Sequence, residues 1–256
     1  MLKSVAVVGR IPPAIVGPLA LFLLWLLAFE LQLVNPKLLP SPIGTLESLA
    51  LSIADGSMLF DFGQTVFRTF YAFGIAVILG VPLGLLTGAN RRVYGSLEFL
   101  IDFFRSTPAT AMFPLFLVIF GLGDFSKVAV AAFAAFLIIL FNVAYGVMNA
   151  RQTRLLAAKV MGASRYRIFR DVLFYETLPQ TFIGLRMAVS LALVVIIVAE
   201  MFIGSDNGLG HRIIDMQMVF NLKQMYATII MTGVLGYGLN LFFLVIEKKL
   251  VHWAGR

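Results

Sequence analysis

Glu200 is the residue that any account of this chain must explain first. It lies in an apolar run over residues 182–203, where a carboxylate costs about 2.5–3.5 kcal/mol even on lenient insertion scales. Three roles fit such a group: lining a transport path or gate, binding protons, or pairing with a nearby polar side chain. Asn142 and Ser190 also lie in apolar runs and are the other candidates for a path or gate, although each can equally serve as a hydrogen bond between helices. Catalysis has little to draw on. The chain contains no Gly-x-x-x-x-Gly-Lys-Ser/Thr phosphate loop and no His-Glu-x-x-His pair, the motifs that would carry nucleotide or zinc chemistry. Its two histidines, His211 and His252, have no neighbour at ligand spacing, and it has no cysteine, which removes disulfides and thiolate metal sites. The expectation is a protein that is not an enzyme and has no metal or cofactor. Gly236-Tyr237-Gly238 has the composition of a carbonyl-lined ion filter, yet it sits inside one continuous apolar segment, 225–246, with no room for a pore loop.

The elements that position these residues are membrane spans. Sixty per cent of the 256 residues are hydrophobic and 13% charged, and the mean hydropathy is +0.95, a composition outside that of soluble domains. Apolar runs of about 20 residues cross a hydrocarbon layer of roughly 30 Å. On that basis the chain is all-α, with six transmembrane helices at about 14–34, 65–87, 100–121, 128–147, 182–203 and 227–246 in one domain. The first run follows Lys3 and Arg10 but is longer than the core of a signal peptide, and is read as a retained span. Gly80, Gly84 and Gly88 recur every four residues along the second, a stripe that permits close helix packing, while Pro82 predicts a kink. Six spans place both termini on one face. With them fall Lys3, Arg10, Arg91, Arg92, Arg105, Arg151, Arg154, Lys159, Arg165, Arg167, Arg170, Arg186, Lys248, Lys249 and Arg256, 15 of the 20 basic residues. Lys37, Arg68, Lys127, Arg212 and Lys223 fall opposite. This asymmetry makes the termini cytoplasmic. Because the net charge of +7 is distributed in this way, it does not point to nucleic acid.

The longest charged and patterned segment is the cytoplasmic loop 151–179. Residues 155–161 are good helix formers, and Ala157 and Ala158 leave a bare flank for close approach. Gly162 is placed to stop that helix. Ser164 is placed to cap a second, amphipathic helix carrying Arg165, Arg167 and Arg170, which Pro179 would end. The three arginines could also bind anionic lipid.

Ala157-Ala158, three residues, Gly162-Ala163-Ser164, then an aromatic, Val172 and Pro179, running into Gly184-Leu185-Arg186, resembles the conserved cytoplasmic loop of membrane subunits of ABC-type importers. The likeness extends over nearly the whole chain through residues 39–44, Arg105-Ser106-Thr107-Pro108, Pro114-Leu115, Phe120-Gly121, Lys127, Asn142, Ala199-Glu200 and Gly208-Leu209-Gly210. It is nearest the branch that imports nitrate, sulfonates, taurine or bicarbonate. Leu156, where many relatives carry an acid, and Phe174-Tyr175 depart from the pattern. The resemblance implies a type I importer permease in a bacterial inner membrane. Its implied partners are cytoplasmic ATPase subunits, a periplasmic or tethered substrate-binding protein, and a second permease copy. Arg154, Ala157, Ala158, Lys159, Gly162, Ala163 and Ser164 would form the coupling loop against the ATPase. Two other functions stay open at this stage: a proton-coupled carrier using Glu200, and a membrane scaffold without transport.

Overall fold

The structure is a computed structural model that describes residues 13–251 and Trp253. Lys3, Arg10, His252 and Arg256, and with them the expectations they carry about the termini, lie outside the described residues. The first helix, α1, runs over Pro13–Glu30 and ends before Gln32, whose φ of 51° breaks it. A short helix, α2 (Pro42–Ala54), begins where Ser41 accepts the Gly44 N–H at 3.1 Å and Pro42 takes the first position, a start that satisfies one orphan donor and needs no N–H from the proline. Then come α3 (Ser57–Ala89), α4 (Arg91–Ser106), a single tight turn over Ala109–Met112, α5 (Phe113–Phe120) and α6 (Asp124–Met148). The remainder is α7 (Gln152–Val160), α8 (Arg165–Phe202), α9 (Leu209–Met218) and α10 (Leu222–Leu250).

α3, α6, α8 and α10 are each long and apolar enough to cross a membrane. α1, at 18 residues, rises about 27 Å and supplies a further apolar segment. The third expected span, 100–121, is not one helix. α4 and α5 meet at a 92° bend, because Pro108 has no N–H to continue the ladder and disfavours helical geometry at Thr107, whose ψ is 125°. The expected stop at Pro179 is also corrected. α8 continues through it from Arg165 to Phe202, since a broken backbone in hydrocarbon would leave polar groups unpaired and a proline within a longer helix leaves fewer. The loop helix and the fifth span are thus one rod of about 57 Å.

α6 is the centre of the bundle, with Val130, Ala131, Ala135, Ile139, Val143 and Ala144 fully buried. It lies between α3 and α8, and the glycine stripe sets the α3 distance. A Cβ on Gly80 would stand 2.9 Å from Ile139, one on Gly84 2.7 Å from Val143, and one on Gly88 2.7 Å from Val147. On the other flank Gly184 admits Asn142. α10 closes on α8 through Ala227, Met231, Leu235 and Leu239, with Val189 and Leu193 opposite. Gly236-Tyr237-Gly238 is helical within α10, so its carbonyls belong to the helix ladder and are not free to line a filter. Gly84→Leu is therefore expected to cost about 1–3 kcal/mol by overpacking, read as earlier thermal unfolding in detergent. Gly74→Ala, which meets nothing within 4 Å, should leave the transition unchanged or slightly raised.

Candidate functional site

The loop between α6 and α8 is a rigid corner. α7 ends in a left-handed cap: Gly162 has φ +79°, its N–H bonds the Lys159 carbonyl at 3.1 Å, and the Ala163 N–H reaches back to Ala158 at 3.0 Å. This paired closure is the one in which glycine is favoured. The Ser164 hydroxyl then accepts the Arg167 N–H at 3.4 Å and starts α8, whose first turns are widened over Ile168–Leu173. Arg154 on α7 is paired with Glu176 on α8, and Tyr175 packs edge-on against Trp253 at 5.8 Å. An open cleft of about 500 Å³ lies beneath, lined by Arg154, Ala157, Met161, Val172, Tyr175 and Trp253 among others. At the tip Val160 and Met161 are 87% and 86% exposed. Lys159 on one side and Arg165 and Arg167 on the other are also exposed. The arrangement is an apolar knob in a basic collar, held in one orientation by the glycine turn and the Arg154–Glu176 pair.

At the opposite end of the bundle lies a cluster of buried charge. Glu200 is close to the last turn of α8, not deep within it, and its oxygens are occupied. Arg68 Nη1 donates to Oε1 at 2.7 Å, Thr65 Oγ1 to Oε2 at 2.9 Å, and the Gly210 N–H to Oε2 at 3.0 Å. The Arg68 guanidinium also bonds Asp124 at 2.9 Å, the Asn207 side-chain oxygen at 2.6 Å and its carbonyl at 3.0 Å. Lys127 continues the chain to Asp124 at 3.2 Å and Ser205 at 2.9 Å. Arg68 and Glu200 expose 3% and none of their side chains. The glycines of the 204–210 turn follow from this. Gly208 has φ +113°, a Cβ there would fall on the Glu200 carboxylate, and one on Gly210 would fall on the Ile197 carbonyl. Asp61 holds the same turn by accepting the Gly208 N–H at 2.9 Å, and pairs with Arg212 at 3.3 Å. Sequence reasoning found Glu200 and missed Arg68 as its partner. The signal was available, since an arginine within one apolar segment and a glutamate within another each need a counter-charge.

The remaining candidates are placed elsewhere. Asn142 donates to the Ile138 carbonyl at 2.9 Å and accepts from Gln180 at 2.8 Å, which joins α6 to α8. Ser190 donates to the Arg186 carbonyl of its own helix at 3.1 Å. His211 pairs with Asp215 at 3.0 Å, and among the described residues no cluster of three metal-binding side chains occurs.

Arg105, counted above with the cytoplasmic basic residues, sits at the α4–α5 bend, where its guanidinium lies 4.1 Å over the Phe141 ring and bonds Asp102 at 3.2 Å. Phe104 and Phe116, on either side of the bend, both pack on Phe133. Phe133 and Phe141 straddle Phe136, the midpoint of α6. A cavity of about 230 Å³ opens there.

Among the described residues the chain is an all-helical bundle in which several helices are long and apolar enough to cross a membrane. Residues 80–252 match the family described as binding-protein-dependent transport system inner membrane component, and the chain belongs to that family. It is 29% identical over 247 residues to the taurine transport system permease protein TauC of Escherichia coli (94% of this chain, 89% of that protein). It is 27% identical over 224 residues to the nitrate import permease protein NrtB of Synechocystis (83% and 80%). Among solved structures, an inward-facing MetNI methionine ABC transporter shares the fold, with TM-score 0.66 and 20% identity, covering 74% of this chain and 94% of that chain. The chain is an importer permease, a transport subunit and not a catalyst.

Removing one member of the buried cluster strands the other. Glu200→Ala is expected to destabilise the folded chain by about 3–5 kcal/mol, whereas the double replacement Arg68→Met with Glu200→Leu should cost clearly less than the two single changes added together. Thermal unfolding in detergent of the native chain, Glu200→Ala, Arg68→Met, Glu200→Leu and the double replacement measures both.

Proposed function

We propose that the 151–179 loop couples this permease to a cytoplasmic ATPase. The observation that carries the reading is the exposed Val160–Met161 knob, held on a glycine-capped helix that is braced to α8. An apolar tip that is open to solvent calls for a partner groove, and its basic collar suits an acidic rim. Ala157, Ala158 and Gly162 present the bare flank, with Arg154, Lys159, Ala163 and Ser164 around it. The loop then faces the cytoplasm, both termini lie on that side, and the membrane is a bacterial inner membrane. Moving Arg105 from the basic tally to mid-bundle leaves 14 of the 20 basic residues on the loop side, so the charge bias is kept.

In this scheme two permease copies enclose a central path, a pair of ATPases docks beneath them, and a substrate-binding protein docks on the side that carries α9. Closure of the ATPases draws the two knobs together, and α8 transmits the motion to the Arg68–Glu200 cluster, opening the far side. The cargo is a small solute such as nitrate, taurine, another sulfonate or bicarbonate, and the resident anionic lipid sits against Arg165, Arg167 and Arg170. The engaged state of Glu200 speaks against a proton-coupled carrier. Both its oxygens are held by Arg68, Thr65 and Gly210, which makes it a structural counter-ion.

Reconstitution of the permease with its ATPase and binding protein tests this reading. Met161→Glu and Gly162→Asp are expected to abolish the ATP hydrolysis that the loaded binding protein stimulates, while thermal unfolding of the permease moves by no more than about 1–2 kcal/mol. Uptake that persists without the ATPase and disappears in Glu200→Gln would overturn it.

A further inference from the structure

We infer that the broken third span carries an anion subsite on the transport path, with Arg105 as its binding group. The inference rests on the permease reading and adds the residue that holds the anionic cargo and the place where it pauses. An arginine packed among apolar helices is costly unless it faces water or a partner. Among the described residues the ion-pair partner of Arg105 is Asp102, at 3.2 Å, and both side chains remain about half exposed, 41% and 53%. A charged pair left open beside apolar helices is stable where it faces water and costly against lipid.

The cavity at this point is lined by Arg105, Thr107, Pro108, Met112, Leu137 and Leu191 among others. At about 230 Å³ it has room for several waters of about 30 Å³ each, or for one small organic anion. The bend that forms it turns at Pro108, and interrupted spans near mid-membrane are where carriers hold their cargo. The guanidinium offers five N–H donors in a plane, of which Asp102 takes one end, so donors remain for a second anion. Its fork matches the paired oxygens of a nitrate or a sulfonate, which an ammonium matches less well. The Phe141 ring beneath it holds the plane in position by cation–π attraction. Asp102 is the counter-ion of the empty state and competes with the cargo, which keeps affinity low enough for release.

The chain has no cysteine, so the thiol of Ala109→Cys, at the cavity wall, would be the permease's single target. Its modification by a membrane-impermeant cationic thiosulfonate is followed in the detergent-purified permease. A site of about 1 mM dissociation constant is some 90% filled at about 10 mM ligand, so nitrate or taurine at that concentration should slow labelling about tenfold. Protection by both probes assigns the site to the shared oxyanion head, and protection by one assigns it to that anion. Arg105→Gln should abolish protection, Arg105→Lys should weaken it, and Asp102→Asn should strengthen it, which keeps the test valid if Arg105→Gln fails to fold. Absence of labelling, equal protection by a neutral solute such as urea, or protection indifferent to all three replacements overturns the proposal. ATP-driven uptake by the native complex is measured in parallel. Its absence sinks the importer reading, whereas ATP-driven uptake of only uncharged solutes sinks the anion subsite alone.

Discussion

Arg68 is the group that the rest of the bundle is built to satisfy. A guanidinium cannot shed its proton and is buried here to 3% of its side chain, so the fold must bring anions to it. It does so from α6, through Asp124, and from α8, through Glu200, with Asn207 of the following turn supplying two more oxygens. Once Glu200 is fixed, the N-terminus of α9 must close on it, and only glycine fits at 208 and 210. Four elements are therefore registered against one another at this end by a few hydrogen-bonded charges. Loss of any one would leave the others uncompensated in a medium of low dielectric constant.

At the other end the same helices part. α6 leads into α7 and α8 begins beyond Ser164, so α8 runs without interruption from the exposed corner to the charged cluster. Between the two ends the α3, α6 and α8 contacts are made by small residues against branched ones, which leaves little room to absorb a displacement locally. A push at the knob must then move the whole rod. The α4–α5 arm is different in kind. Apart from Ile101 and Phe113, its residues are exposed or half-exposed, and the bend at Pro108 relieves it of helical continuity. It is also where Arg105 is held.

The sequence was most informative where a rule of one dimension operates. The Gly80-Gly84-Gly88 period, the Gly162 stop and the Ser164 cap are each set by neighbours within a few residues, and each is realised in the structure. Pro179 was misread because the same local rule ignores what surrounds a helix. In a soluble loop the proline would end it, whereas an apolar flank on both sides carries the helix through. The third span is bent for the converse reason, since its hydropathy is continuous while its geometry turns on Thr107 and Pro108.

What the sequence determined by itself was the class: an all-helical membrane chain with a patterned loop, no catalytic set, and a charge in the fifth span in need of an explanation. The tertiary structure decided what that charge is for. Arg68 and Glu200 are 132 residues apart, and no local pattern pairs them. Only the packing of α3 against α8 does so, at a distance set by glycines whose partners lie on a third helix. Arg105 likewise reads in sequence as one more basic residue beside a membrane end, and it becomes a cation stacked on an aromatic ring only when the bend folds it over Phe141. In both cases hydrophobicity placed the segment, while the position of the charge depended on which helices could approach closely enough to satisfy it.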